Sequence, residues 1–343
     1  MEKLFRNRKV LITGAAGSVG RELVKEILKY RPEVVRLFDI DERRQFELRQ
    51  ELGEVENIRY LLGDIRDRAR LRYAIEDIDI IFHTAALKHV EGCEYNPFEA
   101  VKTNVLGTQN VIDVAIEEEV SKVIFTSSDK AVNPTNVLGA TKLLCEKLMT
   151  AANYYKGRRN IVFSSVRFGN VVGSSGSVVP LFKSQIQAGG PLTVTNPNMT
   201  RFIMSMSQAV KLLLKATEMA RGGEVFVFKM SAVKISDLAQ AMVEYLAPKF
   251  GHSPSSIKIK VIGSRPGEKM YEELMTDQEA RRALETREMF IILPEMKELL
   301  RTKFEYPGAR RAKVDRYRSC DVVALSRKEI EKMLAEVSLE TGI

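Results

Sequence analysis

Short runs of apolar and β-branched residues alternate along the first half of the chain with segments whose apolar positions repeat at helical spacing. After the first run, Val19, Leu23 and Ile27 recur at the interval that puts side chains on one helix face. The pattern predicts strands over 9–13, 34–39, 58–62, 78–82, 122–126 and 161–166, with helices over 105–118 and 140–154. Because parallel strands need helical crossovers, this alternation predicts an α/β fold with a doubly wound parallel sheet of the Rossmann type.

The second half of the chain has a different pattern, with stretches rich in Gly, Ser, Pro and Asn over 169–177 and 189–200. We therefore expect a Rossmann domain over 1–168 and a smaller C-terminal domain, mainly for substrate binding, over 169–343. A predicted helix over 207–218 and strand over 224–229 indicate that 205–230 returns to the first domain.

Composition narrows the classes of protein. The net charge is +8, but the 53 Lys and Arg residues are spread among 45 acidic ones and match no nucleic-acid motif, so we expect no nucleic-acid partner. A basic cluster over 301–318 is interpreted as attracting an anionic small substrate or as a solvated surface. No apolar run suits a membrane span or a signal peptide, which predicts a cytoplasmic protein without membrane contact. Cys93, Cys145 and Cys320 have no metal-ligand spacing, so no metal site is expected and they are interpreted as packing residues.

A glycine loop follows the first predicted strand. Gly14, Gly17 and Gly20 differ from the usual dinucleotide fingerprint only in the first spacing, and the loop lies between a strand and a helix. Glycines there allow a tight turn and close backbone approach to a pyrophosphate, which rests on the helix N-terminus. The sequence therefore predicts a bound nicotinamide dinucleotide.

An acid at the end of the second strand indicates which dinucleotide binds. Asp39 lies where a carboxylate would accept hydrogen bonds from the adenosine ribose and repel a 2′-phosphate, which favours NAD. NADP is not excluded, because Arg43 and Arg44 follow and could bind a phosphate if the loop folded back. Asp64, after the third strand, is expected to reach the adenine or, alternatively, to cap the next helix.

Segment 126–131, TSSDKA, follows the fifth predicted strand, at the sheet edge where open α/β folds keep their sites. With TGAAGSVG at 13–20, AALKHV at 85–90, NPTNVLGATK at 133–142 and RPGEK at 265–269, it resembles the UDP-N-acetylglucosamine 4,6-dehydratases. These are extended short-chain dehydrogenases of the polysaccharide-biosynthesis branch. The resemblance covers nearly the whole chain and implies a UDP-sugar substrate and association into a homo-oligomer.

The resemblance also implies roles for individual residues. In the implied reaction, hydride leaves C4 of the sugar for the cofactor, water is lost across C5 and C6, and hydride returns to C6. The implied catalytic residues are Asp129 as acid, Lys130 as base and Lys142 at the nicotinamide ribose, which requires a raised pKa for Asp129 and a lowered one for Lys130. A solvated loop pair is the alternative for Asp129 and Lys130. The predicted cofactor-binding set is Gly14, Ala16, Gly17, Ser18, Val19, Gly20, Asp39, Arg43, Asp64, Ile65, Ala85, Ala86, Lys88, Asn104 and Lys142.

Substrate-side residues follow from the same resemblance. The predicted set is Lys88, His89, Ser128, Asn170, Arg201, Arg265 and Glu268, in which the arginines suit a diphosphate because their planar groups donate two hydrogen bonds. The alternatives are a structural role for His89, an ion pair between Arg265 and Glu268, and helix capping for the cofactor-side Asn104.

One position departs from the family pattern. Most short-chain dehydrogenases carry Tyr four residues before the active-site Lys, and Leu138 stands there. Leu cannot ionise, so another group must take the proton of the C4 hydroxyl. Two further hypotheses stay open: a nucleotide-sugar 4-epimerase, which would not need the acid of the Asp129–Lys130 pair, and a non-catalytic dinucleotide sensor, which Leu138 alone favours.

Overall fold

The computed structural model describes residues 1–174, 177–264 and 267–341, and the chain forms two compact units. Unit one comprises Met1–Phe168, Val210–Lys229 and Thr276–Asp315, and unit two comprises Gly169–Ala209, Met230–Met275 and Arg316–Ile343. The first segment of unit one ends at Phe168, and Val210–Lys229 returns to this unit. Segment 276–315 differs from the prediction, because it packs with unit one and not with the C-terminal unit.

The strands and helices for which the sequence predicted bounds lie close to those bounds, and the structure adds others. The strands are β1 (Lys9–Thr13), β2 (Val34–Asp39), β3 (Ile58–Leu62), β4 (Ile80–His83), β5 (Lys122–Thr126), β6 (Val162–Arg167), β7 (Asn170–Val171), β8 (Leu192–Val194), β9 (Thr200–Met204), β10 (Val225–Phe228), β11 (Ser231–Lys234), β12 (Ile259–Val261), β13 (Glu273–Met275), β14 (Ala283–Glu285), β15 (Met289–Ile292), β16 (Arg310–Arg311) and β17 (Tyr317–Arg318). The α-helices are α1 (Glu2–Phe5), α2 (Ser18–Leu28), α3 (Glu42–Leu52), α4 (Arg68–Ile75), α5 (Val90–Tyr95), α6 (Pro97–Ala100), α7 (Gly107–Glu117), α8 (Val137–Tyr155), α9 (Val178–Gln187), α10 (Met206–Met219), α11 (Ile235–Leu246), α12 (Asp277–Ala280) and α13 (Arg327–Thr341).

Unit one is built on a ten-stranded sheet in the order β16-β14-β15-β10-β6-β5-β4-β1-β2-β3. The strands β1 to β6 and β10 pair in parallel, and β15, β14 and β16 continue the sheet as an antiparallel edge. The predicted doubly wound parallel sheet is confirmed. Segment 276–315 joins unit one because it supplies three strands to this edge.

The sheet is covered by helices whose apolar faces bury its side chains. On one side, Leu11, Ile81 and Phe125 of the strands form a cluster with buried side chains of α4, α7 and α8. Each such large side chain removed from water contributes about 1.5–3 kcal/mol. This packing fixes the carboxyl ends of β1, β4 and β5 side by side, which is where the candidate site lies.

Unit two contains three small sheets and its own core. β7, β9 and β11 form one sheet, β8 pairs with β12, and β13 pairs with β17. Phe182 of α9, Leu238 of α11 and Ile330 of α13 belong to one buried cluster. Within the described residues, no helix has both the length and the apolar composition to cross a bilayer.

The three cysteines are not equivalent. Cys93 and Cys145 are buried, as packing residues should be, whereas Cys320 is exposed. The packing interpretation is therefore wrong for Cys320, which lies next to the polar side chain of Asp321.

Candidate functional site

The glycine loop brings the ends of β1 and β4 and the start of α2 into backbone contact. Gly14 has a φ of +68°, and a Cβ there would lie 2.7 Å from the backbone N of Ala85. At Gly20 a Cβ would lie 2.4 Å from the carbonyl oxygen of Gly14. Gly17 caps the N-terminus of α2, whose first turn contains Ser18 and Val19. In the part of the chain that the structure describes, no side chain caps this helix N-terminus, and an uncapped helix N-terminus suits an anion such as a pyrophosphate.

Asp39 is fixed at this loop by two backbone hydrogen bonds. Its Oδ2 accepts from the N–H of Ala16 at 2.9 Å, and its Oδ1 accepts from the N–H of Asp41 at 3.0 Å. A negative charge is thereby held at the end of β2, as the prediction for a ribose-binding acid requires. Ala16 contacts Asp39 through its N–H, a link that the sequence did not predict.

The two arginines that follow Asp39 differ in their surroundings. Arg43 pairs with Glu47 at 3.2 Å and its side chain is 77% exposed. Arg44 pairs with Asp41 at 3.3 Å, and its charge acts on Lys88. Burial is the larger cause that lowers the pKa of Lys88, and the positive charge of Arg44 lowers it further. The Lys88 side chain nevertheless reaches solvent.

Asp64 does not cap the next helix. Asp67 is the cap of α4 and accepts the N–H of Arg70, so the capping alternative for Asp64 is wrong. Asp64 instead accepts hydrogen bonds from the backbone and side chain of Arg66. Burial alone would raise the pKa of Asp64, but these bonds outweigh it and leave the pKa below its usual value. Its neighbour Ile65 is buried against Gly107 of α7.

The central feature of the site is the turn Asp129–Ala131, which follows β5. Asp129 is only 1% exposed, so the alternative of a solvated loop pair is wrong. Its Oδ1 accepts hydrogen bonds from the hydroxyl of Ser128 at 2.7 Å and from Nζ of Lys130 at 3.1 Å. Its Oδ2 is buried and has no hydrogen-bond partner among the described residues. A buried carboxyl thus keeps one oxygen available beside an ammonium that is 25% exposed.

The turn packs closely against the start of α8. A Cβ at Gly139 would lie 2.1 Å from the carbonyl oxygen of Lys130, so only glycine allows this approach. Three residues later, Lys142 is buried, donates from Nζ to the carbonyl of Thr126 at 2.9 Å and lies over the ring of Phe125. Burial lowers the pKa of Lys142.

Leu138 lies in an apolar environment. It is 3% exposed and packs in a small cluster with Cys93 and Ala100. The position of the usual Tyr is therefore filled by a core side chain.

The loop after β4 is held by Asn104. This residue is 1% exposed and lies in a π-helical segment, Val101–Leu106, that precedes α7. Its amide bonds both the N–H and the carbonyl of Leu87, at 2.8 and 3.2 Å, and also donates to the hydroxyl of Thr141. The helix-capping alternative is therefore wrong. Asn104 fixes the loop that carries Ala85, Ala86 and Lys88, while His89, at the start of α5, is exposed.

A buried histidine that the sequence analysis did not select lies beneath this loop. His83 bonds Thr13 through Nδ1 at 2.7 Å and Thr108 through Nε2 at 2.9 Å. Burial and the charge of Lys142 lower its pKa to about 3, so the ring is neutral. His83 is marked in the sequence as a polar residue inside the apolar run 78–87. Its hydrogen-bond partners are distant in the chain, so the sequence alone did not identify its role.

In unit two, three of the predicted substrate-side residues lie near one small pocket or its rim. Asn170 and Arg201 line the pocket, and Arg201 contacts Glu268 at 3.4 Å and Glu272 at 3.7 Å. Glu268 also accepts from the hydroxyl of Thr195 at 3.0 Å. Arg265 lies outside the described residues, and with it the proposed ion pair to Glu268.

Ser177 lines the same pocket and was not predicted. It stands at the N-terminus of α9 without making the usual side-chain cap, and its buried Oγ has no partner within the described residues. Besides Asn170, the polar groups at this pocket are an unused hydroxyl, a guanidinium and a helix N-terminus, and the rest of its described lining is apolar Val, Ile and Leu side chains.

Comparison with known proteins identifies the family. The family model described as polysaccharide biosynthesis protein matches residues 10–294. The chain is 42% identical over 296 residues to a UDP-N-acetylglucosamine 4,6-dehydratase (inverting) of Campylobacter jejuni, covering 86% of this chain and 85% of that protein. It is 37% identical over 336 residues to a UDP-glucose 4-epimerase of Rickettsia canadensis, covering 96% of each.

A solved structure shows that the similarity extends to the three-dimensional fold. The X-ray structure of Pen from Bacillus thuringiensis is 47% identical, covers 98% of this chain and 99% of its own, and superposes with a TM-score of 0.91. The family resemblance inferred from the sequence motifs is confirmed. This chain belongs to the polysaccharide biosynthesis protein family, and its relatives include proteins named as nucleotide-sugar dehydratases and epimerases.

Proposed function

We propose that this protein is a nucleotide-sugar 4,6-dehydratase that acts on UDP-N-acetylglucosamine with a bound NAD. The observation that carries the proposal is Asp129, a buried carboxyl with one oxygen held by Ser128 and Lys130 and the other without a partner among the described residues. An elimination across C5 and C6 needs an acid and a base side by side, whereas an oxidation at C4 alone does not.

The glycine loop fits a dinucleotide. A Cβ at Gly14 or Gly20 would collide with backbone, so glycine permits the tight turn and the close packing of α2 on β1 that a dinucleotide loop needs. The N-terminus of α2 would hold the pyrophosphate, Asp39 the adenosine ribose, and Lys142 the nicotinamide ribose. A nicotinamide held by these residues would supply the reversible hydride transfer that the oxidation at C4 and the reduction at C6 require.

Asp129 and Lys130 divide the proton transfers of the elimination. As a neutral amine, Lys130 removes the C5 hydrogen, which a 4-keto group acidifies, and returns that proton to C5 when hydride enters C6, while Asp129 protonates the C6 hydroxyl as it leaves as water. Asp129 must carry a proton at that moment. Ser128 is a candidate source of this proton. Its hydroxyl donates a hydrogen bond to Asp129 and is itself able to accept the proton of the C4 hydroxyl.

That route would replace the missing Tyr. Leu138 is packed in an apolar cluster and carries no ionisable group, so it takes no part in proton transfer. Through Ser128, the proton lost from the C4 hydroxyl would become the proton that Asp129 delivers at C6, so the enzyme returns to its starting protonation state.

Recognition of the nucleotide diphosphate is assigned to unit two. Arg201 is the predicted diphosphate contact, and it lies with Asn170 and Ser177 on the otherwise apolar lining of a pocket at the N-terminus of α9, where the helix dipole favours negative charge. Glu268 and Glu272 contact the Arg201 guanidinium, so a phosphate would have to take the place of one of these carboxylates on Arg201.

A second candidate is a UDP-sugar 4-epimerase. It is favoured by the 37% identity to the Rickettsia canadensis protein of that name, which extends over 96% of both chains. An epimerase would share the cofactor and the first oxidation but would leave C6 unchanged.

The deciding experiment is incubation of the purified protein with UDP-N-acetylglucosamine in deuterated water, followed by NMR. We expect a UDP-4-keto-6-deoxy-N-acetylhexosamine with deuterium at C5. UDP-N-acetylgalactosamine as the product would support the epimerase, and unchanged substrate would reject both. Lys130→Ala should stop deuterium entering C5. The matched control is Lys147→Ala, because Lys147 lies on the same helix as Lys142 and forms an exposed ion pair with Glu295. This variant should still incorporate deuterium.

A further inference from the structure

A buried hydrogen-bond network runs beneath the glycine loop and is centred on His83, the last residue of β4. The His83 side chain is fully buried, and each ring nitrogen faces a threonine hydroxyl. Nδ1 lies 2.7 Å from the hydroxyl oxygen of Thr13, at the end of β1, and Nε2 lies 2.9 Å from that of Thr108, on α7. The imidazole therefore joins the strand before the glycine loop to the helix after the π-helical segment.

The direction of these hydrogen bonds is set at Thr108. Its hydroxyl oxygen lies 2.5 Å from the carbonyl oxygen of Asn104, and two oxygens at this distance need a hydrogen between them, which only the hydroxyl can supply. Thr108 therefore accepts the hydrogen of Nε2. A fully buried imidazole between two hydroxyl groups stays neutral, because neither supplies a compensating charge. The ring then has a single N–H, so Nδ1 is bare and accepts the hydrogen of Thr13.

At the Thr13 end, the network reaches the contact between the glycine loop and the loop after β4. Because the hydrogen of Thr13 is directed at His83, its oxygen is available to the N–H of Ala85, at 3.5 Å. The hydroxyl of Thr84 donates to the carbonyl of Thr13 at 2.7 Å. These bonds hold the β4 loop against Gly14, where a Cβ would lie 2.7 Å from the nitrogen of Ala85.

At the Thr108 end, the network supports the π-helical turn that carries Asn104. The Asn104 carbonyl accepts hydrogen bonds from the Thr108 hydroxyl and from the Cys145 thiol, at 2.5 and 3.0 Å. The side chain of Asn104 leaves this turn toward both backbone groups of Leu87. The network thus reaches the β4 loop a second time, two residues beyond its first contact.

We propose that His83 is a positioning residue for the dinucleotide site, and that its Nε2–H tautomer, by accepting from Thr13 and donating to Thr108, holds the glycine loop and the β4 loop at the separation the cofactor needs. In the opposite tautomer the lone pair of Nε2 would face a lone pair of Thr108, so only one tautomer satisfies both ends. His83 acts through the two threonines. The proposal rests on the cofactor assigned under the proposed function.

The tautomer is measured directly by nitrogen NMR of the protein labelled with ¹⁵N-histidine. The chain has 3 histidines, and the signals of His83 are assigned by their absence in His83→Gln. We expect a proton on Nε2 and a bare Nδ1 at pH 7. A proton on Nδ1, alone or together with one on Nε2, would overturn the proposal.

The effect on the cofactor is measured with matched threonine variants. Thr108→Val keeps the side-chain shape and removes the acceptor of His83, so we expect the affinity for NAD⁺ in calorimetric titration to fall about tenfold. Thr108→Ser keeps the hydroxyl and should restore the affinity. The control is Thr217→Val, because the Thr217 hydroxyl is equally buried and bonds the carbonyl of Leu213, four residues earlier, as Thr108 bonds that of Asn104.

The control separates positioning of the cofactor loops from support of the fold. Thr217→Val should lose thermal stability and keep the wild-type affinity for NAD⁺. Unchanged affinity in Thr108→Val, or an equal loss in Thr217→Val, would mean that the network supports folding alone and would overturn the proposal. Neither measurement uses a sugar. A wild-type protein that binds NAD⁺ but leaves UDP-N-acetylglucosamine unchanged would therefore reject the proposed function and leave this comparison valid.

Discussion

The carboxylate of Asp39 and the backbone N–H of Ala16 are joined by a 2.9 Å hydrogen bond between the end of β2 and the glycine loop. The acid that is expected to select the cofactor is therefore also a support for the loop that binds it. A substitution at this position should change both the choice and the strength of dinucleotide binding.

Asp39→Asn keeps an acceptor for Ala16 and removes the charge. We expect the affinity for NAD to fall about tenfold, since a hydrogen bond to a charged group is worth about 1.5 kcal/mol more than a neutral one, and the preference over NADP to decrease. Calorimetric titration of both cofactors measures this. Arg49→Ala is the control, because its side chain lies on α3, the helix after Asp39, is exposed and is paired with Glu54. An equal loss of affinity in Arg49→Ala would mean that the effect of Asp39→Asn is not specific to the position of the acid.

Gly20→Ala tests the contact between the loop and α2. The added Cβ would meet the Gly14 carbonyl at 2.4 Å, and a backbone atom cannot move aside cheaply. We expect the unfolding free energy to fall by about 1–3 kcal/mol and NAD binding to be lost. Gly92→Ala is the matched control on α5, where the nearest atom is 3.9 Å away. Wild-type NAD affinity in Gly20→Ala would contradict the cradle described above.

Ser128→Ala tests the proton route from the C4 hydroxyl to Asp129. Loss of the hydroxyl should slow hydride transfer, measured as absorbance of the reduced cofactor in a single turnover, by about 10²-fold or more. Ser128→Thr keeps a hydroxyl and should restore most of the rate. If Ser128→Ala transfers hydride at the wild-type rate, another group accepts the proton.

The neutral His83 makes stability depend on pH. Its pKa is about 3 in the folded protein and about 6.5 when unfolded, so the unfolded chain gains a proton below pH 6.5 while the folded chain does not. Stability is therefore complete above pH 6.5 and decreases as the pH falls. Between pH 6.5 and 5 the loss should be about 2 kcal/mol, measured by denaturant unfolding. His83→Gln should reduce this loss, and His89→Gln, at an exposed position, should not. A loss of the same size in His83→Gln would assign the pH dependence to other groups.

The parallel strands and the glycine loop were predictable from the sequence because their signals are local. Apolar runs bounded by polar residues gave β1, β2, β3 and β5 with the observed bounds, and the loop chemistry depends on neighbours within a few positions. The Asp129–Lys130 pair was recognised from the motif around it. Its burial was a consequence of packing against α8, which the motif alone does not reveal.

Other features depend on residues far apart in the chain. Arg167 reaches Glu279 across 112 positions, and Asn104 bonds the loop at Leu87 through a π-helical segment that helical periodicity does not distinguish. The strands within 276–315 have two to four residues each. Runs this short do not show the alternation of apolar and polar residues by which a strand is recognised. Partners of this kind are set by tertiary structure, so single-sequence patterns do not identify them.

The winding of the chain has a practical consequence for protein engineering. The polypeptide passes between the two units after residues 168, 209, 229, 275 and 315. A fragment cut at residue 168 would lack β10 and leave β6, whose last five residues are buried, as an open edge with unpaired backbone groups. Such an edge recruits other chains and aggregates. Exchange of the C-terminal half between relatives would replace β10, β14, β15 and β16 of the unit-one sheet together with unit two, so altered sugar specificity is better sought by point substitution within the intact polypeptide.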